Sequence, residues 1–309
     1  MLQGLDDAFP FLGICFSQKL YNETSLIPAE SMHRSNIRFV IIIASACVLT
    51  SGIARAQYLK YPTAGVPRTA DGKPNLIAPA PKDADGHPDF SGIWLSGNIN
   101  CRNQNQDPET LVCGSELPFG KEGFNMGVSL QGGLPYQPWL AALVKERTAN
   151  KGKDDPHIIC MPDTFLRDYS LPHLMKFVQT RGLLVMLNEL NATYRQVFTD
   201  DRPLPVDPNP SWQGYSSGKW DGDTLIVKSN GFRDDLWIDN AGSVISSAAK
   251  VEERFKRLDY GHMDIQVTVD DPKAYTRPWT VTLHQRLALN TELVDEICIE
   301  NQKDTPHLK

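Results

Sequence analysis

Beyond Lys176 the chain is a succession of short runs rich in branched aliphatic, Thr and aromatic residues, broken by turn-forming pairs such as Arg181-Gly182, Asp221-Gly222, Tyr260-Gly261 and Asn290-Thr291. Eight runs read as strands: Phe177–Thr180, Leu183–Leu190, Tyr194–Thr199, Thr224–Ser229, Val251–Leu258, Met263–Val269, Trp279–Leu289 and Leu293–Ile299. A two-residue connection joins antiparallel neighbours only, since a parallel pair needs a crossover of about a dozen residues. The runs therefore predict an antiparallel meander, and an open meander would leave unpaired edges. A mainly β fold is expected, closing into a lipocalin-like barrel or a curved sandwich. One or two short helices accompany it, the best of them Pro138 to Ala149, where Trp139, Leu140, Leu143 and Val144 recur at helical spacing.

The residues before this region read as an address and an arm. Met32 is followed by His33, Arg34 and Arg38, then by an apolar run from Phe39 to Leu49, then by Ala54-Arg55-Ala56. That layout predicts a signal peptide over 32–56, cleaved after Ala56, with residues 1–31 a misread upstream extension. The run is shorter than the roughly 20 residues of a membrane span, so no stable span is expected in the mature chain, which would be periplasmic or secreted. Residues 57–88, rich in Pro, Ala, Gly and Asp, form an extended arm, and 89–309 form the single β-rich domain. Within the arm, Ala70-Asp71-Gly72-Lys73-Pro74-Asn75-Leu76 recurs as Ala84-Asp85-Gly86-His87-Pro88-Asp89-Phe90, which predicts two equivalent turns.

Four of the six cysteines follow Ala56, an even number that favours disulfides in an exported chain. Of the three pairings open to them, the one expected joins Cys101 to Cys113 across a polar loop and Cys160 to Cys298 across most of the domain. The net charge of −6 offers no basic face for nucleic acid. There is no Gly-x-Ser-x-Gly elbow, phosphate loop or dinucleotide fingerprint, and no histidine pair at helical metal-ligand spacing. No cofactor and no metal are expected. Asp154, Asp155, His157 and Cys160 lie close in sequence, but the disulfide claims Cys160 and His157 reads as a surface-loop residue.

Strand alternation supplies the candidate site, because one face of every barrel strand points inward. On Val251–Leu258 the mixed face carries Val251, Glu253, Phe255 and Arg257, while Glu252, Arg254 and Lys256 form a charged, solvated face. Glu253 and Arg257 are expected inside and paired, since an unpaired buried charge is costly. By the same logic Glu189 shares a face with Leu183, Val185 and Leu187, and Gln285 with Trp279, Val281, Leu283 and Leu287. A largely apolar cavity with a few polar groups suits a small apolar or amphipathic molecule. Phe255, Trp279 and Gln285 inside it, Trp212 and Tyr215 on loops near its mouth, and Tyr194 are the expected contacts. Two other readings stand beside this one. In the first, a cofactor-independent lyase, isomerase or hydrolase uses Glu253 or Glu189 as base and Arg257 to stabilise an oxyanion. In the second, an envelope interaction protein works through its arm.

Several longer motifs resemble those of a large family of exported hypothetical proteins of Gram-negative soil bacteria. They are Pro88-Asp89-Phe90-Ser91-Gly92-Ile93-Trp94, the stretch from Gly218 to Val227, Glu253-Arg254-Phe255, and the stretch from Asp271 to Trp279. The resemblance runs from about Ala84 to about Asn301, with Cys160 and Cys298 in their expected places. It implies export and one domain, and it implies no reaction. The chain departs from that pattern at Leu204 and Tyr215, where histidine is common.

Overall fold

The strand runs pair edge to edge until the sheet meets itself. In this computed structural model residues 61–97, 119–120 and 123–300 are described, all within one unit, Tyr58–Lys309. The strands are β1 (Gly92–Gly97), β2 (Phe119–Gly120), β3 (Gly123–Phe124), β4 (Met175–Thr180), β5 (Leu183–Asn188), β6 (Tyr194–Phe198), β7 (Tyr215–Asp221), β8 (Thr224–Asn230), β9 (Leu236–Trp237), β10 (Val244–Ile245), β11 (Lys250–Arg257), β12 (His262–Asp270) and β13 (Trp279–Leu287). Nine of them close a barrel in the order β1-β13-β12-β11-β8-β7-β6-β5-β4, while β2 pairs with β3 and β9 with β10. Among the described residues the α-helices are α1 (Pro138–Ala149), as expected, and the one-turn α2 (Phe165–Asp168), with a short 3-10 turn at Pro156–Ile159 between them.

The barrel departs from the expected meander in several ways, first in that β1 and β7 belong to it although neither is among the eight expected runs. β6 and β7 run parallel, with Val197 opposite Ser216 and Phe198 opposite Ser217, so the barrel is mixed. The connection from 199 to 214 is long enough to return the chain to the same end. The expected strand Leu293–Ile299 is not a strand. Its Glu296 makes one isolated parallel bridge to Leu190, because β1 already fills the gap between β13 and β4. Trp94 on β1 faces Leu287 on one side and Met175 on the other, which completes the closure.

Inward phasing follows the expectation on β11 and β13. Val251, Glu253, Phe255 and Arg257 are buried, as are Trp279, Val281, Leu283, Gln285 and Leu287. On β5 it is reversed. Leu184, Met186 and Asn188 are buried, while Leu183, Val185 and Leu187 are only half-buried on the outer side. The run Leu-Leu-Val-Met-Leu has no polar residue to mark the outer face, so burial is decided by tertiary pairing.

Each end of the barrel is covered by the chain's own segments. The arm closes the end that carries the β4–β5, β7–β8 and β11–β12 turns. Its two repeat copies form equivalent turns: Thr69 N–H donates to Lys73 O and Asn75 N–H to Pro67 O, and 14 positions later Asp83 N–H donates to His87 O and Asp89 N–H to Pro81 O. Gly261 N–H donates to Leu76 O at 2.8 Å, an approach so close that a Cβ on Gly261 would lie 2.7 Å from Leu76 Cβ. The Trp220 ring stacks on His87 and Phe90, with centroids 4.3 and 5.6 Å away. The opposite, cap end is covered by α1, α2 and the β9–β10 hairpin, with Gln137 N–H donating to Ala274 O at 2.8 Å. Phe165 and Tyr169, in and just after α2, enter the barrel from this side.

Candidate functional site

Inside the cap-end half of the barrel, Arg195 on β6 gathers the buried polar groups. Its guanidinium lies 3.5 Å from the centre of the Phe165 ring. It donates to Tyr169 Oη at 2.8 Å, to Ser216 Oγ at 3.0 and 3.2 Å, to Ser229 Oγ at 3.0 Å, and to both carboxylate oxygens of Glu253. Tyr169 in turn donates to Glu253 Oε1 at 2.8 Å. Glu253 is 0% exposed and Arg195 2%. Burial alone would lower the Arg195 pKa, but the Glu253 charge, Tyr169 and the hydrogen bonds raise it overall, so the guanidinium stays charged. Burial, then the Glu253 charge, pushes the Tyr169 hydroxyl well above its ordinary range. Every charged atom of the pair has a protein partner, which gives it the character of a rivet between four strands and the cap.

Glu253 is thus paired with Arg195, and the expected pairing with Arg257 does not form. The two residues share a face, but four positions of extended chain separate them by about 13 Å. Arg257 lies at the arm end, where it donates to the backbone carbonyls of Asp89, Tyr260 and Asp259. Burial lowers its pKa to about 10, against the raising charges of Asp89, Tyr260 and Asp259. Its role is to fasten Asp89, where the arm enters the β-rich domain, to the β11–β12 turn.

The other expected contacts scatter. Phe255 is core, within 6.0–6.4 Å of the Phe90, Tyr169 and Phe177 rings. Trp279 packs its ring edge-on to Tyr275, 5.4 Å away. Gln285 donates to the Tyr169 carbonyl at 2.8 Å. Gln285 Oε1 and Trp279 Nε1 have no hydrogen-bond partner among the described residues, each a cost of about 1–3 kcal/mol unless water reaches it. Tyr194 and Tyr215 point outward and are 64% and 39% exposed, because their neighbours Arg195 and Ser216 take the inward positions. Glu189 also lies outside the barrel, accepting from Leu174 N–H at 2.9 Å. The reversed phase of β5 carries it there.

A second polar assembly lies at the cap end, on the segment from Asp154 to Asp168. Arg167 on α2 donates to both oxygens of Asp155, at 2.8 and 2.7 Å, and to Asn240 Oδ1 at 2.9 Å. It also lies 3.2 Å from Asp163 Oδ1, while Asp163 Oδ2 is 2.6 Å from His157 Nδ1. Burial would lower the Arg167 pKa, yet Asp155, Asp163 and Asp239 raise it. Asp163 is buried, whereas the His157 side chain remains 30% exposed. With Nδ1 engaged, Nε2 is the nitrogen open to a ligand. Ile159, in the same turn, is 60% exposed and Met161 39%. Gln213 bridges the assembly to the next loop, donating to Asp163 O and accepting from Phe165 N–H, both at 2.9 Å. That places half-buried Trp212, under the Arg233 guanidinium at 4.9 Å, beside it.

Burial, then the charge of Asp163, raises the neighbouring carboxyl of Asp168 well above the usual range, against Arg167 and Arg195, which lower it. Asp168 accepts from Asn188 Nδ2 at 2.8 Å. The assembly is tied down by the Cys160–Cys298 disulfide, with Cα atoms 5.3 Å apart and 138 positions between the cysteines. Cys160 takes a left-handed conformation (φ 61°) at the end of the His157 turn, and Cys298 Sγ lies 3.8 Å from the His157 carbonyl oxygen. Cys101 and Cys113 fall outside the described residues.

Asp163 and Arg167 are functional candidates that sequence reasoning missed. The available signal was a charged pair, Arg167 and Asp168, inside the apolar stretch from Phe165 to Tyr169, next to an already noted His157. Among the described residues no helix is long and apolar enough to cross a membrane. No family model, curated protein or solved structure matches the chain.

Proposed function

We propose that this chain is an exported β-barrel protein that binds a small amphipathic molecule at the cap end, against His157 and its exposed apolar neighbours. One observation carries the reading: a 30% exposed imidazole held on Nδ1 by a buried, arginine-backed carboxylate, with exposed Ile159 and Met161 two and four positions further along the chain. A polar contact flanked by apolar area is the composition such ligands select. The barrel interior is a weaker candidate than it was in the sequence, because Phe90, Trp94, Phe177 and Phe255 fill it at 0–1% exposure. Export is supported by the signal-like segment, by the disulfide and by the motifs resembling those of exported proteins.

Paired native and denaturing mass spectrometry of the protein recovered from a bacterial periplasm tests the proposal. The expected result is an extra native mass that disappears on denaturation and is lost in His157→Ala. A bare native mass in the unaltered protein, or full retention of the extra mass in His157→Ala, would overturn it.

The His157–Asp163 dyad favours a second reading, in which the bound molecule is a substrate and Nε2 takes up its proton in a lyase, isomerase or hydrolase reaction. In that case the recovered molecule is converted on incubation with the unaltered protein and persists with His157→Ala. Persistence with both proteins leaves binding alone.

A further inference from the structure

We propose that His173, Glu189 and Glu296 form a site for one divalent cation of the zinc class. One ligand atom from each lies within 4.8 Å of the others. The three residues come from three separate segments that the backbone holds side by side. Glu189 N–H donates to Leu174 O at 3.0 Å, Glu296 N–H to Glu189 O at 2.8 Å, and Asn191 N–H to Glu296 O at 2.6 Å. Two positions on, Cys298 N–H donates to Asn191 Oδ1 at 3.1 Å, and Cys298 is covalently bound to Cys160. That bond restrains the C-terminal segment beside the other two.

The donor set selects the ion. Two carboxylates alone would suit calcium or magnesium, which take oxygen ligands, but an imidazole nitrogen shifts the preference towards zinc and its transition-metal neighbours. Three protein ligands with an open position are what a non-structural zinc site needs. The Glu189 carboxylate is oriented by its contact with Leu174 N–H through Oε2, which leaves Oε1 for a metal. His173 Nδ1 lies 3.1 Å from Glu296 Oε2, so imidazole and carboxylate already converge. Among the described residues no lysine or arginine is paired with Glu189 or Glu296, whereas nearby Glu292 is held by Lys176 at 2.6 Å. Two adjacent carboxylates without a lysine or arginine repel each other, and a divalent cation removes that repulsion. Zinc bonds of about 2.0–2.2 Å place tetrahedral ligands nearer to one another than 4.8 Å. The remaining closure falls to the Glu296 side chain, 54% exposed and free to rotate.

The experiment is calorimetric titration of the oxidised, chelator-treated protein with zinc chloride and, separately, calcium chloride. One zinc per chain is expected, with calcium much weaker. Glu296→Gln and His173→Ala should each lower zinc affinity about tenfold or more. His284→Ala, which removes another half-buried histidine–carboxylate pair (His284 Nδ1 to Asp264, 2.7 Å), should leave it unchanged. Glu296→Gln alters an exposed side chain and keeps the fold testable should His173→Ala fail to fold. No zinc binding, affinity unchanged in Glu296→Gln, or calcium bound as tightly as zinc would each overturn the proposal.

Discussion

Arg195 holds the Glu253 carboxylate with two parallel hydrogen bonds, inside a barrel where neither residue is more than 2% exposed. The arginine comes from β6, the glutamate from β11, and the hydroxyls of Ser216 on β7 and Ser229 on β8 fill the space between them. Tyr169 adds the cap to the same cluster. Taking two charges out of water is expensive, and only a fully hydrogen-bonded arrangement offsets it. The network therefore links β6, β7, β8 and β11 to the cap, and its net contribution to stability is modest.

The asymmetry between forming and breaking such a pair gives the first prediction. Arg195→Met and Glu253→Leu should each cost about 3–5 kcal/mol in urea denaturation, because each strands a buried charge. The double substitution should cost clearly less than the sum of the two. Glu252→Ala, on the outer face 3.5 Å from Arg254 and 4.0 Å from Lys228, should stay within about 0.5 kcal/mol of the unaltered protein. Additive costs for Arg195 and Glu253 would show that the network does not act as a unit.

Why β11 could be phased from sequence and β5 could not is a matter of contrast. On β11 the alternate set Glu252, Arg254, Lys256 is wholly charged, so the other set must be the buried one. On β5 both sets are apolar, and the position of Glu189 follows from pairing with β4 and β6. β7 is made of Tyr, Ser, Gly, Lys, Trp and Asp, with no branched aliphatic residue to mark a strand, and its place rests on Val227 and Leu225 of β8 opposite Gly218 and Trp220. The partner of Glu253 was invisible for a simpler reason. Arg195 lies 58 positions away, and its inward direction depends on the phase of a strand flanked by exposed Tyr194. The Cys160–Cys298 bridge was legible because an even cysteine count leaves few pairings.

The arm is expected to be part of the fold. It leads directly into Phe90, two positions past its end, which is fully buried, stacks against Trp220 and sits 6.0 Å from Phe255, and whose carbonyl accepts from Trp94 Nε1 at 2.9 Å. Phe90→Ala should cost about 3–5 kcal/mol, the range for a buried aromatic ring lost to a cavity. Removal of residues 61–88 should lower the melting temperature sharply, since it strips the partners of Tyr260, Gly261 and Trp220. A truncated chain that melts like the intact one would return the arm to the role of a free interaction segment.

Reduction should weaken the protein more than most single substitutions. The bridge between Cys160 and Cys298 closes a loop spanning 138 positions, for which the chain-entropy relation gives about 5 kcal/mol. The loss should appear as a lower urea midpoint in the presence of reductant. Thiol labelling of the native, unreduced protein should modify neither cysteine. Labelling at Cys160 or Cys298 under those conditions would contradict the bridge.

The Asp168 carboxyl yields a prediction with a definite sign. Burial and the charge of Asp163 raise its folded pKa above the unfolded value near 3.8, so over that interval the folded state holds a proton that the unfolded state has released. Stability from this group is present below the unfolded pKa and is lost as pH rises towards the folded one. Asp168→Asn is neutral at every pH and can still accept from Asn188 Nδ2. The variant should match the unaltered protein near pH 4 and exceed it by a margin that grows as pH rises towards 7. Urea unfolding at pH 4, 5.5 and 7 measures the difference directly. A gap that shrinks with rising pH would mean that Asp168 is ionised in the folded protein and held by Arg167 and Arg195, the two charges that oppose the shift.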